Sequence, residues 1–320
     1  MSPPEPVSTA IARTFLDSIQ SLMSITQDLD AAPNMDSPRA VAAPPAGLDD
    51  FETVIRPGKG WIAINWRELA QSRELFDTLV MRDIKIRYKQ TVLGVAWAVI
   101  QPLLQMVVFT LLFSRAPELK PAGIPHALFL FAGLVPWTFF TNAVAGAGLS
   151  LINQQQLLTK IYFPRIFVPA STAGAFLVDL FIGLLLFAIL LPIYGFAPSW
   201  AILTLPILVV LSFVAALGLG LTLAAATILF RDLRFVIPFV LQTLMFLSPV
   251  FYPLTILTRP QQLIASLNPM TGIITAYRWA ILGMPLDPLI LAISTATSLA
   301  LLVFGLFFFR RTERLFADLA

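Results

Sequence analysis

Residues 91–113 carry no charge, and the run directly before them carries Arg82, Lys85, Arg87 and Lys89. A hydrocarbon core about 30 Å thick needs about 20 consecutive apolar residues in a helix. In lipid every backbone group must be satisfied internally, so an uninterrupted apolar stretch of this length is read as a spanning helix. A basic amphipathic run leading into such a span marks the side from which the chain enters, because Lys and Arg are retained on the cytoplasmic face.

Five further apolar segments follow at residues 126–149, 169–194, 201–230, 235–257 and 288–309. The chain therefore reads as an all-α polytopic membrane protein with six spans. Composition agrees: 58% of residues are hydrophobic and 12% charged, with a mean hydropathy of +0.82. A soluble domain has about 25% charged residues. The net charge of +3 does not point to nucleic acid, because the cations lie beside apolar spans, where they set topology. With no cysteine there is no disulfide, thiolate metal site or cysteine nucleophile.

The distribution of cations predicts an orientation. Arg67, Arg73, Arg82, Lys85, Arg87 and Lys89 precede the first span, and alternate connections hold Lys160 and Arg165, Arg231 and Arg234, then Arg310, Arg311 and Arg314. The intervening connections hold only Arg115, Lys120, Arg259 and Arg278. Both termini are therefore expected in the cytoplasm. Tyr194 and Trp200 flank the short third connection at the outer interface, where their rings suit an aromatic belt. The first residues lack the basic-then-apolar order of a secretory signal, so insertion is expected to use the internal spans.

Residues 1–50 read as an accessory tail. Ile11, Phe15, Ile19, Leu22, Ile25 and Leu29 recur at helical spacing, and residues 31–50 are rich in Pro and Ala. This suits a short amphipathic helix on a loose linker, either a plain accessory or a docking element. Asp28-Leu29-Asp30 matches a metal-binding pattern of sugar-nucleotide enzymes but has no catalytic context. Residues 51–90 form a cytoplasmic segment ending in an interfacial helix, and residues 91–320 the spanning domain.

Several segments have the chemistry for a role beyond spanning. Leu69, Phe76, Leu79, Val80 and Ile84 give residues 66–90 an apolar face, fitting either a topology anchor or a moving part. Residues 153–169 are polar first and then mix cations with Tyr162, Phe163 and Phe167. That reads as an exposed apolar patch with a basic rim, suited to docking a soluble partner, or as an interfacial loop. Asp179 lies well inside the third span, where a charge costs about 2.5 to 3.5 kcal/mol on insertion scales. It must face protein or water, as a relay, a substrate contact or a carboxylate bonded to a neighbouring helix. His126, at an outer helix edge, reads as an interface residue. Pro249, Pro253 and Pro260 break the end of the fifth span, and residues 261–283 suit short helices dipping into the outer leaflet or a surface loop. The second and fifth spans are rich in aromatic residues, whose faces would suit sugar rings if they lined a conduit.

Arg82-Asp83-Ile-Lys85-Ile-Arg87-Tyr88-Lys89-Gln-Thr-Val-Leu-Gly94 with Trp97 and Pro102, Lys160-Ile-Tyr162-Phe163-Pro164-Arg165, Phe230-Arg231-Asp232-Leu-Arg234, Ser248-Pro249-Val-Phe251-Tyr252-Pro253 and Asn268-Pro269 occur in this order. In that combination the chain resembles the ABC-2-type membrane subunits of polysaccharide exporters for O-antigen, capsule and teichoic acid. The resemblance implies six transmembrane helices, an N-terminal amphipathic interface helix and outer re-entrant helices between spans 5 and 6. It implies a homodimer in the bacterial cytoplasmic (inner) membrane joined to two copies of a separate ABC ATPase, whose ATP and magnesium would be the assembly's cofactors. A lipid-linked glycan would pass outward between the membrane subunits. Arg82, Asp83, Lys85, Arg87 and Tyr88 would belong to the interface helix, and Lys160, Tyr162, Phe163, Pro164 and Arg165 to the ATPase coupling loop. Trp97, Phe129, Trp137 and Phe251 would be candidates for a channel lining.

No catalytic residue, metal site or cofactor of its own is expected on this chain. Gly58-Lys59 is followed by Gly60 rather than Ser or Thr, and Thr53 stands where a P-loop has its first Gly. An ABC-2 exporter of a drug or small lipid is the main alternative. A membrane-embedded glycosyltransferase is a lesser one, since paired interfacial acids are lacking.

Overall fold

A computed structural model describes residues 72–89, 95–115, 121, 123–155 and 163–313. The tail with its Asp28–Asp30 pattern, the start of the interfacial segment, Lys160, Tyr162 and Arg314 lie outside the described residues. Among the described residues the α-helices are α1 (Arg73–Lys89), α2 (Val95–Leu112), α3 (His126–Asn153), α4 (Phe167–Ala175), α5 (Leu177–Ile193), α6 (Leu205–Leu229), α7 (Leu233–Leu247), α8 (Arg259–Ala265), α9 (Pro269–Leu282) and α10 (Pro288–Glu313), and they hold no strand.

Four helical stretches are long and apolar enough to cross a membrane: His126–Asn153, Phe167–Ile193, Trp200–Leu229 and Pro288–Glu313. The first and fifth expected spans appear as shorter apolar helices, Ala96–Leu112 and Leu233–Leu247. At 1.5 Å per residue the 15 residues of α7 cover about 22 Å, less than the hydrocarbon core. The helix stops there because residues 248–253 contain Pro249 and Pro253, whose missing N–H groups cannot continue the ladder.

α3 is the central helix. From Ala127 to Leu151 most of its side chains are buried, with α6, α4, α9, α2 and α5 packed around it. An all-round apolar helix has no polar face to present, which is why it occupies the core. α6 and α10 pack against each other through glycine: a Cβ on Gly218 would meet Leu302 N at 2.5 Å. Small residues at such a crossing let two backbones meet where lipid supplies no hydrophobic drive.

The outer segment between α7 and α10 is built from helix signals in the sequence. Thr258 and Gln261 make a capping box at the start of α8. Asn268 caps α9 by accepting from Met270 N at 3.0 Å, Pro269 takes the first turn, and Gly283 ends the helix at φ 67°. Arg259 hydrogen-bonds Asp287, tying α8 to the start of α10 and holding the Asp287 carboxyl below its ordinary range. Residues 261–283 are thus two short helices, as the sequence reading allowed.

Candidate functional site

α1 carries its bonding groups on one face. Phe76, Leu79, Asp83 and Arg87 recur at three- and four-residue spacing, so apolar side chains lead and charged ones follow on the same side. The apolar half covers α4: Leu79 is buried, and the rings of Phe76 and Phe167 lie 5.6 Å apart. Glu74 in the first turn and Arg87 and Lys89 in the last suit the helix dipole.

The charged half ties α1 to three other helices. Arg82 Nη2 donates to Gln154 Oε1 at 2.5 Å, and Gln154 is the residue that ends α3. Arg82 also donates to Asp83 Oδ1, and Asp83 Oδ2 accepts from Ser171 Oγ at 3.1 Å and Thr172 Oγ1 at 3.2 Å on α4. One turn later Arg87 Nη2 lies 2.5 Å from Asp179 Oδ2 on α5, and the Tyr88 hydroxyl donates to Asp179 Oδ1. The Arg87 guanidinium also stacks 3.9 Å from the centre of the Phe176 ring, at the junction of α4 and α5. Asp179, expected to need a protein or water partner, has two from α1.

Beyond this cluster lies a cavity of about 400 Å³ between the end of α1 and helices α2, α3 and α5. Arg87, Tyr88 and Asp179 form one end, and Trp97, Gln101, Thr138 and Asn142 bring an indole, two amides and a hydroxyl into the walls. The apolar remainder includes Pro102, Val135, Phe139 and Leu180. Gly183 lets α5 pack tightly on α3, since a Cβ there would sit 3.0 Å from Val135 Cγ1.

A second polar cluster holds the outer segment. Arg278 on α9 is 2% exposed and its guanidinium donates to main-chain carbonyls: Phe129 at 3.3 Å, Pro249 at 2.6 Å, Val250 at 2.7 Å and Tyr252 at 3.3 Å. It also lies 3.6 Å above the centre of the Phe129 ring. Three of these bonds satisfy the carbonyls of the broken backbone after α7, groups that would otherwise be orphaned away from water. Gly133 leaves the space, because a Cβ there would approach Arg278 Nη2 to 2.8 Å.

The structure pairs Arg82 with Asp83 and brings Arg87 and Tyr88 to Asp179, while Lys85 points outward on the exposed side of α1. Of the lining candidates, Trp97 is 54% exposed and lines the cavity, whereas Phe129, Trp137 and Phe251 are buried. Phe129 lies under Arg278, Trp137 packs on Phe140, and Phe251 sits in a cluster with Phe109, Phe113 and Phe246. His126 opens α3 with its ring stacked on Phe129.

Of the patch expected around residues 153–169, residues 156–162 lie outside the described residues, and the two described aromatics are not exposed. Phe163 and Phe167 are 8% and 6% exposed, buried with Leu79, Leu151 and Phe309, because α1 and the ends of α3 and α10 close over them. Pro164 is partly exposed, and Arg165 Nη1 reaches the Glu313 carbonyl of α10 at 3.4 Å. Sequence reasoning missed Gln154, Ser171, Thr172 and Arg278 as partners. Asp83, the lone acid among the cations from Arg82 to Lys89, was the signal that donors had to exist elsewhere.

Residues 74–282 match the family model described as ABC-2 type transporter. The chain is similar to the O-antigen export system permease protein RfbA of Myxococcus xanthus, 34% identical over 214 residues that cover 66% of this chain and 82% of that protein. It is also similar to the protein of the same description from Klebsiella pneumoniae, 26% identical over 77% of this chain and 95% of the other. The polysialic acid transport protein KpsM of Escherichia coli is 24% identical over 64% of this chain and 80% of its own length.

Proposed function

This chain belongs to the ABC-2 type transporter family, and we propose that it is the membrane permease subunit of an ATP-driven exporter of a lipid-linked polysaccharide of O-antigen, capsule or teichoic-acid type. Two copies form the path, two copies of a separate ABC ATPase bind ATP and magnesium, and the glycan moves outward across the bacterial inner membrane. Both termini face the cytoplasm. The substrate class is supported by the relatives named for O-antigen export and polysialic acid transport.

One observation carries the energy-coupled part of the reading. α1 is bonded to Gln154 before the 155–165 connection and to Ser171 and Thr172 after it. A push on that connection by a soluble ATPase therefore reaches α1, and through Arg87 and Asp179 it reaches the wall of the cavity. Coupling of this kind needs a contiguous set of packed and bonded groups, which these residues supply. The lining role is kept for Trp97, whose ring faces open space.

The test is a pull-down of the tagged chain from its native membranes in mild detergent, joined to deletion of its gene. A stoichiometric P-loop ATPase in the pull-down, with loss of surface polysaccharide and build-up of lipid-linked glycan inside the deletion strain, is expected. An ATPase that co-purifies while surface glycan stays normal would favour the drug or small-lipid exporter. No ATPase on an intact, folded chain would overturn the reading.

A further inference from the structure

We propose that the cavity between α1, α2, α3 and α5 is a hydrated site for a neutral pyranose ring, with Trp97 as the stacking platform and Gln101, Thr138 and Asn142 as partners for its hydroxyls. The proposal deepens the polysaccharide reading above by giving one intramembrane site its ligand chemistry.

One wall of the cavity lies near mid-span by its position along α3 and α5, and Trp97, Ala98 and Gln101 line it from the first turns of α2. Val135, Thr138 and Asn142 are near the middle of His126–Asn153, and Asp179 and Gly183 are near the middle of Phe167–Ile193. At that depth polar side chains are retained against protein or water rather than against lipid tails. Among the described residues neither the Gln101 nor the Asn142 amide has a hydrogen-bond partner, and Thr138 Oγ1 reaches only Gln105 Oε1 at 3.5 Å, the limit of a bond. These donors and acceptors therefore face the cavity's contents.

The charge balance selects among possible contents. Arg87 and Asp179 neutralise each other at one end, so the site has no net charge to hold an ion or a phosphate. The occupant is neutral and rich in hydroxyls. An indole that is 54% exposed beside two amides fits a ring whose CH groups pack on the aromatic face while its hydroxyls bond the amides. The volume of about 400 Å³ falls within the range of roughly 300–1,000 Å³ typical of small-ligand pockets. The floor does not collapse, because α1 is braced across it by Asp179 and α3 is already packed against α5 at Gly183.

The natural chain has no cysteine, so one introduced thiol reports on one place. Ala98 lines the cavity, and Ala98→Cys adds a single sulfur. The full chain is placed in lipid nanodiscs and treated with a charged methanethiosulfonate reagent, which modifies thiolates in contact with water. Octyl-β-D-glucoside, a pyranose on an alkyl chain, is compared with octyl tetraethylene glycol ether, which has the same chain and no sugar. Ala98→Cys should react far faster than Val107→Cys on the exposed apolar face of α2. The glucoside should slow it by about threefold or more and the ether should not, with the protection lost in Trp97→Ala and partly kept in Trp97→Phe.

A thiol at 98 as unreactive as that at 107 would show a dry cavity and overturn the proposal. Equal protection by the two amphiphiles would assign the space to an alkyl chain, and protection that survives Trp97→Ala would remove the platform. The readout uses neither the ATPase nor export, so it stands or fails separately from the export test.

Discussion

Arg87 of α1 and Asp179 of α5 form an ion pair, Nη2 to Oδ2 2.5 Å, at one end of the cavity and near the middle of the apolar stretch Phe167–Ile193. Each charge makes the other tolerable there, and Tyr88 supplies the second bond to the carboxylate. Removing one partner leaves the other charge stranded, which costs more than removing both. Arg87→Gln and Asp179→Asn should each lower the thermal stability of the purified chain, and the double variant should recover part of the loss. A double-mutant cycle should give a coupling of about 1 to 3 kcal/mol. A coupling near zero, or an Asp179→Asn variant that abolishes export without loss of stability, would replace the brace with a proton-relay role.

Asp83 is bonded to Ser171 and Thr172, which follow the connection proposed to meet the ATPase. Asp83→Ala cuts the tie between α1 and α4 but leaves the apolar packing of Leu79 and Phe76. Export should fall several-fold while nucleotide hydrolysis by the partner continues, because the motor would turn without moving α1. Ser171→Ala with Thr172→Val should reproduce the effect from the other side. Parallel loss of hydrolysis and export would mean that assembly, not transmission, depends on Asp83.

The apolar segments were legible because exclusion of charge over a span length has one physical cause, the cost of burying ions in hydrocarbon. The break after α7 was legible too, since Pro249 and Pro253 announce it. What each aromatic ring faces was not. α3 is apolar on every side, so no periodicity distinguishes Trp137, which is buried, from a ring that lines open space. The partners of Asp83 were hidden for a different reason: Ser171 and Thr172 look like ordinary residues of an apolar helix until α1 folds over them. Phe163 and Phe167 misled for the same reason, since a loop aromatic reads as exposed unless the helix that covers it is known.

Gly218 and Gly305 let α6 and α10 meet backbone against backbone. A Cβ on Gly218 would lie 2.5 Å from Leu302 N, and one on Gly305 would collide with the Gly218 carbonyl. These neighbours are backbone and cannot swing aside. Gly305→Ala should therefore push α10 off α6 and destabilise the chain by about 1 to 3 kcal/mol, the usual cost of overpacking. The purified variant should show a lower melting temperature. Gly195→Ala supplies the contrast: its φ of 63° strains an alanine locally, but nothing lies within 4 Å, so α6 and α10 stay together.

Arg278 has no carboxylate among its hydrogen-bond partners in the described residues. Its guanidinium is spent on carbonyls from α3 and from the broken backbone after α7. Its planar fork reaches several acceptors in fixed directions, which an ammonium on a flexible stem cannot reproduce. Arg278→Lys should keep the charge and still lose stability. Arg278→Met should cost more, since it leaves the Pro249 and Val250 carbonyls without their donor, each worth about 1 to 3 kcal/mol when buried and unsatisfied. Hydrogen exchange should localise the loosening to residues 248–253 and 259–282, with the α1–α4 contact unaffected. Loosening that spread to α1 would make Arg278 a global core residue rather than the pin of the outer segment.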